Sequence, residues 1–382
     1  QGVAATSKFV DVVRHDDESG MWVADYDEDD TDPTWQALLD ALTVSEMNRL
    51  INEGGFATIA IESINKPATL ESDGPVGWCN FIAKDETWKG NVAYTSQVVV
   101  SSTWNTDLAE EMGRSVGEEA LWGAVREDGR TYSGWYSPGV NLHRSPFCGR
   151  NFEYYSEDPY LTGKIAAALI RGCRSKGVYT YVKHFAVNEQ ETNRTGLVTW
   201  LTEQSMRELY LKPFEMAVKE GGTTTIMSSF NRIGTRWTGG DYRLLTEILR
   251  NEWGFRGTVI CDYNTGAACM NVKQMVYAGG DLNLATDTVS AWNADRKVTS
   301  DVVVARKAVK NILYTVANSN AINNLNYRYE LAVWKILLIV INVAIAVGLI
   351  VWGVFAVRGA LKAAKRKTSD ASNDGNDSLT TE

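Results

Sequence analysis

The stretch Trp253–Gly266, "WGFRGTVICDYNTG", joins a buried-looking apolar run to an acid. Gly257 through Cys261 have the uncharged, β-branched character of a strand covered on both faces, and the run ends on Asp262. An acid in that place either closes a turn or stands at the mouth of a parallel barrel, where residues from many strand ends meet. The choice depends on what the neighbouring strands carry.

Similar runs recur on both sides: "FATIAI" (56–61), "QVVVSS" (97–102), "GWYSPGVNL" (134–142), "GVYTYVKHF" (177–185), "TTTIMSSFN" (223–231) and "DLNLA" (281–285). With the first stretch they make seven expected strands. Helical patterns lie between them. "WQALLDALTVSEMNRLINEGG" reads as one helix stopped by Gly54 and Gly55, and others are expected over 107–125, 161–176, from Thr202, over 241–253 and over 301–316. Strand–helix alternation with continuously apolar strands predicts an α/β fold, a (β/α)8-type TIM barrel over residues 34–322 with one strand irregular or missing. An open doubly wound sheet is the alternative.

Composition narrows the functions. The net charge of −9 provides no basic face for phosphates, so no nucleic-acid partner is expected. Five cysteines without paired spacing and only three histidines argue against a zinc site, and no cofactor or metal is expected. Thirteen Trp and 16 Tyr would serve a sugar-stacking surface or a core equally well.

The flanks read differently. Residues 1–33 are acidic and are expected to be a linker or the end of an upstream domain. Residues 336–357 are about the 20 apolar residues that span a bilayer, after a juxtamembrane linker at 323–335. Arg358, Lys362, Lys365, Arg366 and Lys367 follow, opening a basic then polar tail over 358–382, whereas Lys335 stands alone before the span. The positive-inside rule then predicts a single-pass cell-membrane protein with its C-terminus cytoplasmic and residues 1–335 outside. Export of that large part needs a leader, so the sequence is expected to be the C-terminal piece of a longer protein.

The strand ends carry polar groups throughout. "SDGPVG" presents Asp73; "GVNLHRSPFCGRNFEYYSEDP" supplies His143, Arg144, Arg150 and Glu153; "YVKHFAVNEQETNR" ends its strand on Lys183 and His184; "IMSSFN" presents Met227 and Phe230. Together with Asp262 these suit a neutral, hydroxyl-rich ligand, and no phosphate-binding glycine motif sits at a strand–helix junction.

"GVNLHRSPFCGRNFEYYSEDPYLTG", "KHFAVNEQETNR" and "LRNEWGFRGTVICDY" closely resemble glycoside hydrolase family 3, the β-glucosidase and β-xylosidase family, over about residues 38–285. The resemblance implies a retaining β-glycosidase acting on a β-linked oligosaccharide or glycoside. It assigns Asp262 the nucleophile's position, followed by Tyr263, and Asp73, Arg150, Lys183, His184 and Met227 to the sugar subsite. Lys183 and Arg150 are expected to hold the Asp262 pKa low, while Asp73 and His184 bond ring hydroxyls. Phe230 stands where the family usually has a tyrosine, which removes a hydroxyl near the nucleophile. Cys148 and Cys261 are expected to be buried packing residues, and Glu189 and Glu191 to form ion pairs. The family's general acid is usually a Glu from an α/β-sandwich domain, here expected upstream as in the inverted-order bacterial branch. A catalytically weak or inactive, membrane-tethered glycan binder on the same barrel is the alternative.

Overall fold

The computed structural model describes residues 7–79, 91–122, 131–194, 196–266, 269–286, 291–323 and 333–374. They divide into two compact units, one ending at Asn326 and one starting at Tyr327.

The first unit is built on a six-stranded sheet: β1 (Ala57–Thr58), β2 (Thr69–Ser72), β3 (Tyr132–Trp135), β4 (Tyr179–Phe185), β5 (Thr225–Ser228) and β6 (Thr258–Ile260). Their spatial order is β6-β5-β4-β3-β2-β1. The five strands β2 to β6 pair in parallel, and β1 is an antiparallel edge. Residues 281–285 extend the sheet beyond β6 through a bridge between Ile260 and Leu282. Asn283 N–H then donates to Ile51 O at 2.8 Å, which carries the curve round towards the segment leading into β1. The arrangement is a TIM-barrel-like α/β fold.

Helices alternate with the strands, near the expected places: Thr106–Trp122, Pro159–Arg174, Lys212–Lys219, Arg243–Glu252 and Thr299–Ala317. The residues after Trp122 in the first of these expectations lie outside the described set. Two of the helices touch through glycine. A Cβ on Gly113 would stand 2.1 Å from Leu169 O, and one on Gly172 would stand 2.1 Å from Glu110 O, so the backbones are nearly in contact. Gly257, which opens the strand before Asp262, has φ +127° and would bring a Cβ within 2.0 Å of Thr224 O. No other residue fits the start of β6.

Several expected elements differ. "QVVVSS" is the helix Gln97–Ser102, not a strand. Its buried positions are Gln97, Val100 and Ser101, a helical spacing that outweighs the β preference of three valines. "FATIAI" gives only the two-residue β1, and "DLNLA" one bridge. The single helix over 35–53 is two, Pro33–Asp40 and Val44–Asn52. Thr43 and Glu46 form a reciprocal capping box that restarts the chain as a second helix.

The acidic N-terminal stretch, expected to be a linker or the end of an upstream domain, packs on the barrel. Phe9 is fully buried in the core, Tyr26 Oη donates to Asn311 Oδ1 at 2.6 Å, and Lys310 Nζ lies 3.3 Å from Asp27 Oδ2. Asp27 and Asp30 are charge partners of Lys310 on the helix Thr299–Ala317, and Glu28 pairs with Arg256.

The second unit is the helix Val333–Asp374, whose segment Ile336–Lys365 is long and apolar enough to cross a membrane. Residues 324–332 of the expected juxtamembrane linker and 375–382 of the tail lie outside the described residues.

Candidate active site

The site is built on β6. Asp281 Oδ2 accepts from Val259 N–H and from Arg250 Nη2, both at 2.7 Å, and its Oδ1 accepts from Asn311 Nδ2 at 2.8 Å. Burial pushes the Asp281 carboxyl up to about 6, against the pull of Arg250. This buried pair fixes β6, and Asp262 follows two residues past the strand.

Asp262 is buried. Its Oδ1 accepts from Tyr263 N–H at 2.7 Å. Its Oδ2, also buried, has no hydrogen-bond donor among the described residues; His184 Nε2 stands 3.9 Å away. Across the mouth, Lys183 on β4 donates to Asp73 Oδ1 at 2.9 Å, and Gly74 N–H donates to the same oxygen at 2.8 Å. Arg150 donates through Nε to Glu153, and Glu153 Oε2 lies 3.7 Å from Lys183 Nζ.

His184 has a defined tautomer. Arg150 Nη2 lies 3.0 Å from Nε2, and a guanidinium can only donate, so Nε2 accepts. Nδ1–H therefore faces Asn141 Oδ1 at 3.2 Å. Burial, reinforced by Arg150, Lys183 and Arg194, holds the imidazole well below its ordinary pKa, consistent with a neutral ring.

Asp262, Asp73, Arg150, Lys183, His184, Met227, Phe230 and Tyr263 all line one cavity of about 480 Å³. Lys183 and Asp73, 110 positions apart in sequence, are in direct contact there. Met227 pairs with Ile260 across β5 and β6, which sets it beside the strand that delivers Asp262.

Three expectations are corrected. The Asp262 carboxyl is raised, not lowered: desolvation outweighs the opposing pull of Arg150, the Tyr263 N–H, Lys183 and Arg194. Glu191 pairs with Arg194 at 3.1 Å, but Glu189 accepts neutral hydrogen bonds from Asn141 Nδ2 (3.2 Å) and Leu142 N–H (3.4 Å) and is pushed by burial to about 7. Cys261 is buried, whereas Cys148 is partly exposed. Of the other strand-end groups, His143 lies outside the cavity lining, with Nε2 3.0 Å from Asn151 O and from Tyr154 O.

Sequence reasoning left other lining residues unassigned. Glu153 binds both Arg150 and Lys183, and its signal was the i, i+3 spacing from Arg150. Arg194, at the end of the "NEQETNR" motif, places its guanidinium 4.7 Å from the centre of the Phe230 ring. Phe56 and Tyr136 had no polar signal. Phe56 is held at φ +55°, with its ring stacked 5.5 Å from Tyr136 and 6.3 Å from Tyr263.

A TIM-barrel-like fold that gathers four acids, two arginines, a lysine and a neutral histidine round one cavity at its strand ends offers the donors and acceptors that a polyhydroxylated ligand requires. Residues 64–318 match the glycosyl hydrolase family 3 N-terminal domain, and the chain belongs to that family. It is 39% identical to β-glucosidase A of Butyrivibrio fibrisolvens over 214 residues, which are 56% of this chain and 24% of that protein. It is 32% identical to β-glucosidase B of Emericella nidulans over 306 residues, 76% of this chain and 34% of that protein. Among solved structures, β-glucosidase 3B from Thermotoga neapolitana in complex with α-D-glucose aligns with a TM-score of 0.67 at 32% identity, covering 78% of this chain and 44% of that one. The chain thus spans about a quarter to a third of the length of these curated relatives.

Proposed function

We propose that this chain is the barrel of a retaining β-glycosidase that removes terminal β-D-glucosyl or xylosyl residues, with Asp262 as nucleophile. The observation that carries the reading is the asymmetry of Asp262: Oδ1 is held by Tyr263 N–H, while buried Oδ2 has no donor among the described residues and keeps its lone pairs for attack. In the first step Oδ2 bonds to the anomeric carbon as the bond to the leaving oxygen breaks and that oxygen takes a proton. In the second, water adds to the anomeric carbon, its proton passes to the acid/base group, and Asp262 leaves as carboxylate. Asp73, Arg150, Lys183 and His184 grip the sugar hydroxyls, and Met227, Phe230 and Tyr263 form the apolar wall.

The proton donor should stand about 5–5.5 Å from the nucleophile. Glu153 is engaged with Arg150 and Lys183, and Glu191 with Arg194, so both cavity glutamates already serve as charge partners. We assign the donor to an α/β-sandwich domain elsewhere in the full protein, placed before the barrel in an inverted order. The apolar segment Ile336–Lys365 is read as a single-pass anchor, with the barrel outside and the C-terminus cytoplasmic. The alternative of a weak or inactive glycan binder draws on Phe230, whose ring is covered by Arg194 and has no hydroxyl to align Asp262.

A 2-deoxy-2-fluoro-glucoside with a good leaving group tests the chemistry in the longest natural chain. The expected product is a glycosyl adduct on the peptide containing Asp262, found by mass spectrometry. Binding of the reagent with no adduct, together with no hydrolysis of aryl β-glucosides or β-xylosides, would favour the binder. For the 382-residue chain alone, little turnover is expected.

A further inference from the structure

Outside the catalytic cavity lies a second cleft, of about 650 Å³, that shares Glu191 as a lining residue with the cavity. Two aromatic side chains stand at it with little cover. Phe147 is 94% exposed and Trp200 is 77% exposed, although each would lose unfavourable hydration by turning inward. The backbone before Trp200 is held in place. It follows the short strand Val198–Thr199, which pairs with Arg232–Ile233, and Thr199 Oγ1 donates to Arg232 O at 2.7 Å. A Cβ added to Gly234 would stand 3.6 Å from the Trp200 ring, an ordinary van der Waals contact, so this turn passes beside the indole.

The rest of the cleft is polar. Arg144 lies 5.5 Å from the centre of the Tyr210 ring, and Gln190 lines the cleft together with Glu191, the residue shared with the cavity. Flat apolar faces with amide, carboxylate and guanidinium groups between them match a pyranose chain, which offers C–H faces to stacking and hydroxyls to hydrogen bonds. A basic or acidic polymer fits less well, because the cleft holds both signs of charge.

We propose that this cleft binds the sugar units on the leaving-group side of the scissile bond, so that the preferred substrate is an oligosaccharide of three or more units. The inference rests on the glycosidase reading of the cavity and extends its substrate outward past Glu191. Trp200 and Phe147 are the specificity-determining residues for chain length. Neither was singled out in the sequence, because only tertiary folding sets residues 147 and 200 beside the same cleft.

The test is calorimetric binding of cellobiose and cellopentaose to the chain carrying Asp262→Asn, which prevents turnover. The five-unit ligand is expected to bind about tenfold more tightly, equivalent to about 1.4 kcal/mol. Trp200→Ala, and separately Phe147→Ala, should remove most of that advantage. Both side chains are largely exposed, so their truncation leaves the core intact, and circular dichroism checks this. Equal affinity for the two ligands in the parent, with cellobiose bound, overturns the cleft proposal and leaves the cavity reading standing. So does a full length advantage in both alanine variants, and so does an added upstream domain that abolishes it by covering the cleft. Failure to bind either sugar, or glucose, overturns the cavity reading and the cleft with it.

Discussion

Replacing Arg150 isolates the electrostatics of the nucleophile. Burial raises the Asp262 carboxyl, and Arg150 is the strongest of the groups opposing that rise. An opposite charge at close range lowers a carboxyl by about 1–3 pKa units, each worth about 1.4 kcal/mol. Arg150 also faces Glu153 and, at 3.8 Å, Glu191, which neutralise part of its field and favour the lower end of that range. Arg150→Met should therefore raise the Asp262 pKa by about 1 unit. Because kcat/KM follows the ionised nucleophile of the free enzyme, its acid limb should move to higher pH by the same amount. Lys183 remains 3.7 Å from Glu153, so the variant does not leave that buried glutamate unpaired. Arg150→Lys keeps the charge but loses the fork that reaches Glu153 and His184 together, so it should weaken binding with little movement of the limb. The assay is the pH profile of aryl β-glucoside hydrolysis by the full-length protein. An acid limb unmoved in Arg150→Met, or moved equally in both variants, would refute the reasoning.

Other outcomes follow from particular contacts. Asp262→Asn should lower turnover by about 10³-fold or more without lowering the melting temperature. The folded-state pKa of Asp262 lies above its unfolded value, so its ionised form subtracts stability at neutral pH and not below the ordinary Asp range; the amide's stability gain should fade as pH falls through that window. A lower Tm at pH 7 would contradict it. Arg250→Met breaks the buried 2.7 Å pair with Asp281 and should cost about 3–5 kcal/mol in urea unfolding, whereas a loss below about 1 kcal/mol would show that the pair does not anchor β6. Thr43→Ala removes one half of the capping box at the start of Val44–Asn52 and should cost about 1 kcal/mol, measured the same way.

Local physics made much of the barrel legible. The helices Pro159–Arg174 and Thr299–Ala317 were readable because their apolar positions recur at helical spacing, and β4 and β6 because their runs are continuously apolar and end in polar groups. The first barrel segments were not. "QVVVSS" has strand composition and becomes a helix, since the face that meets the core is a tertiary property. The acidic N-terminal stretch looked solvated because nothing local shows that Lys310, nearly 300 positions away, is its counter-charge.

The sequence by itself pointed, through long family motifs, to Asp262, Asp73, Arg150, Lys183 and His184 as one site. Tertiary structure decided how those groups behave. The direct contact of Lys183 with Asp73, the neutral tautomer of His184, the free oxygen of Asp262 and its raised pKa all arise from burial and from partners distant in the chain. Charge and spacing alone predicted a lowered carboxyl. Desolvation depends on how completely the fold removes water, and that is set by the packed barrel mouth, not by the order of residues along it.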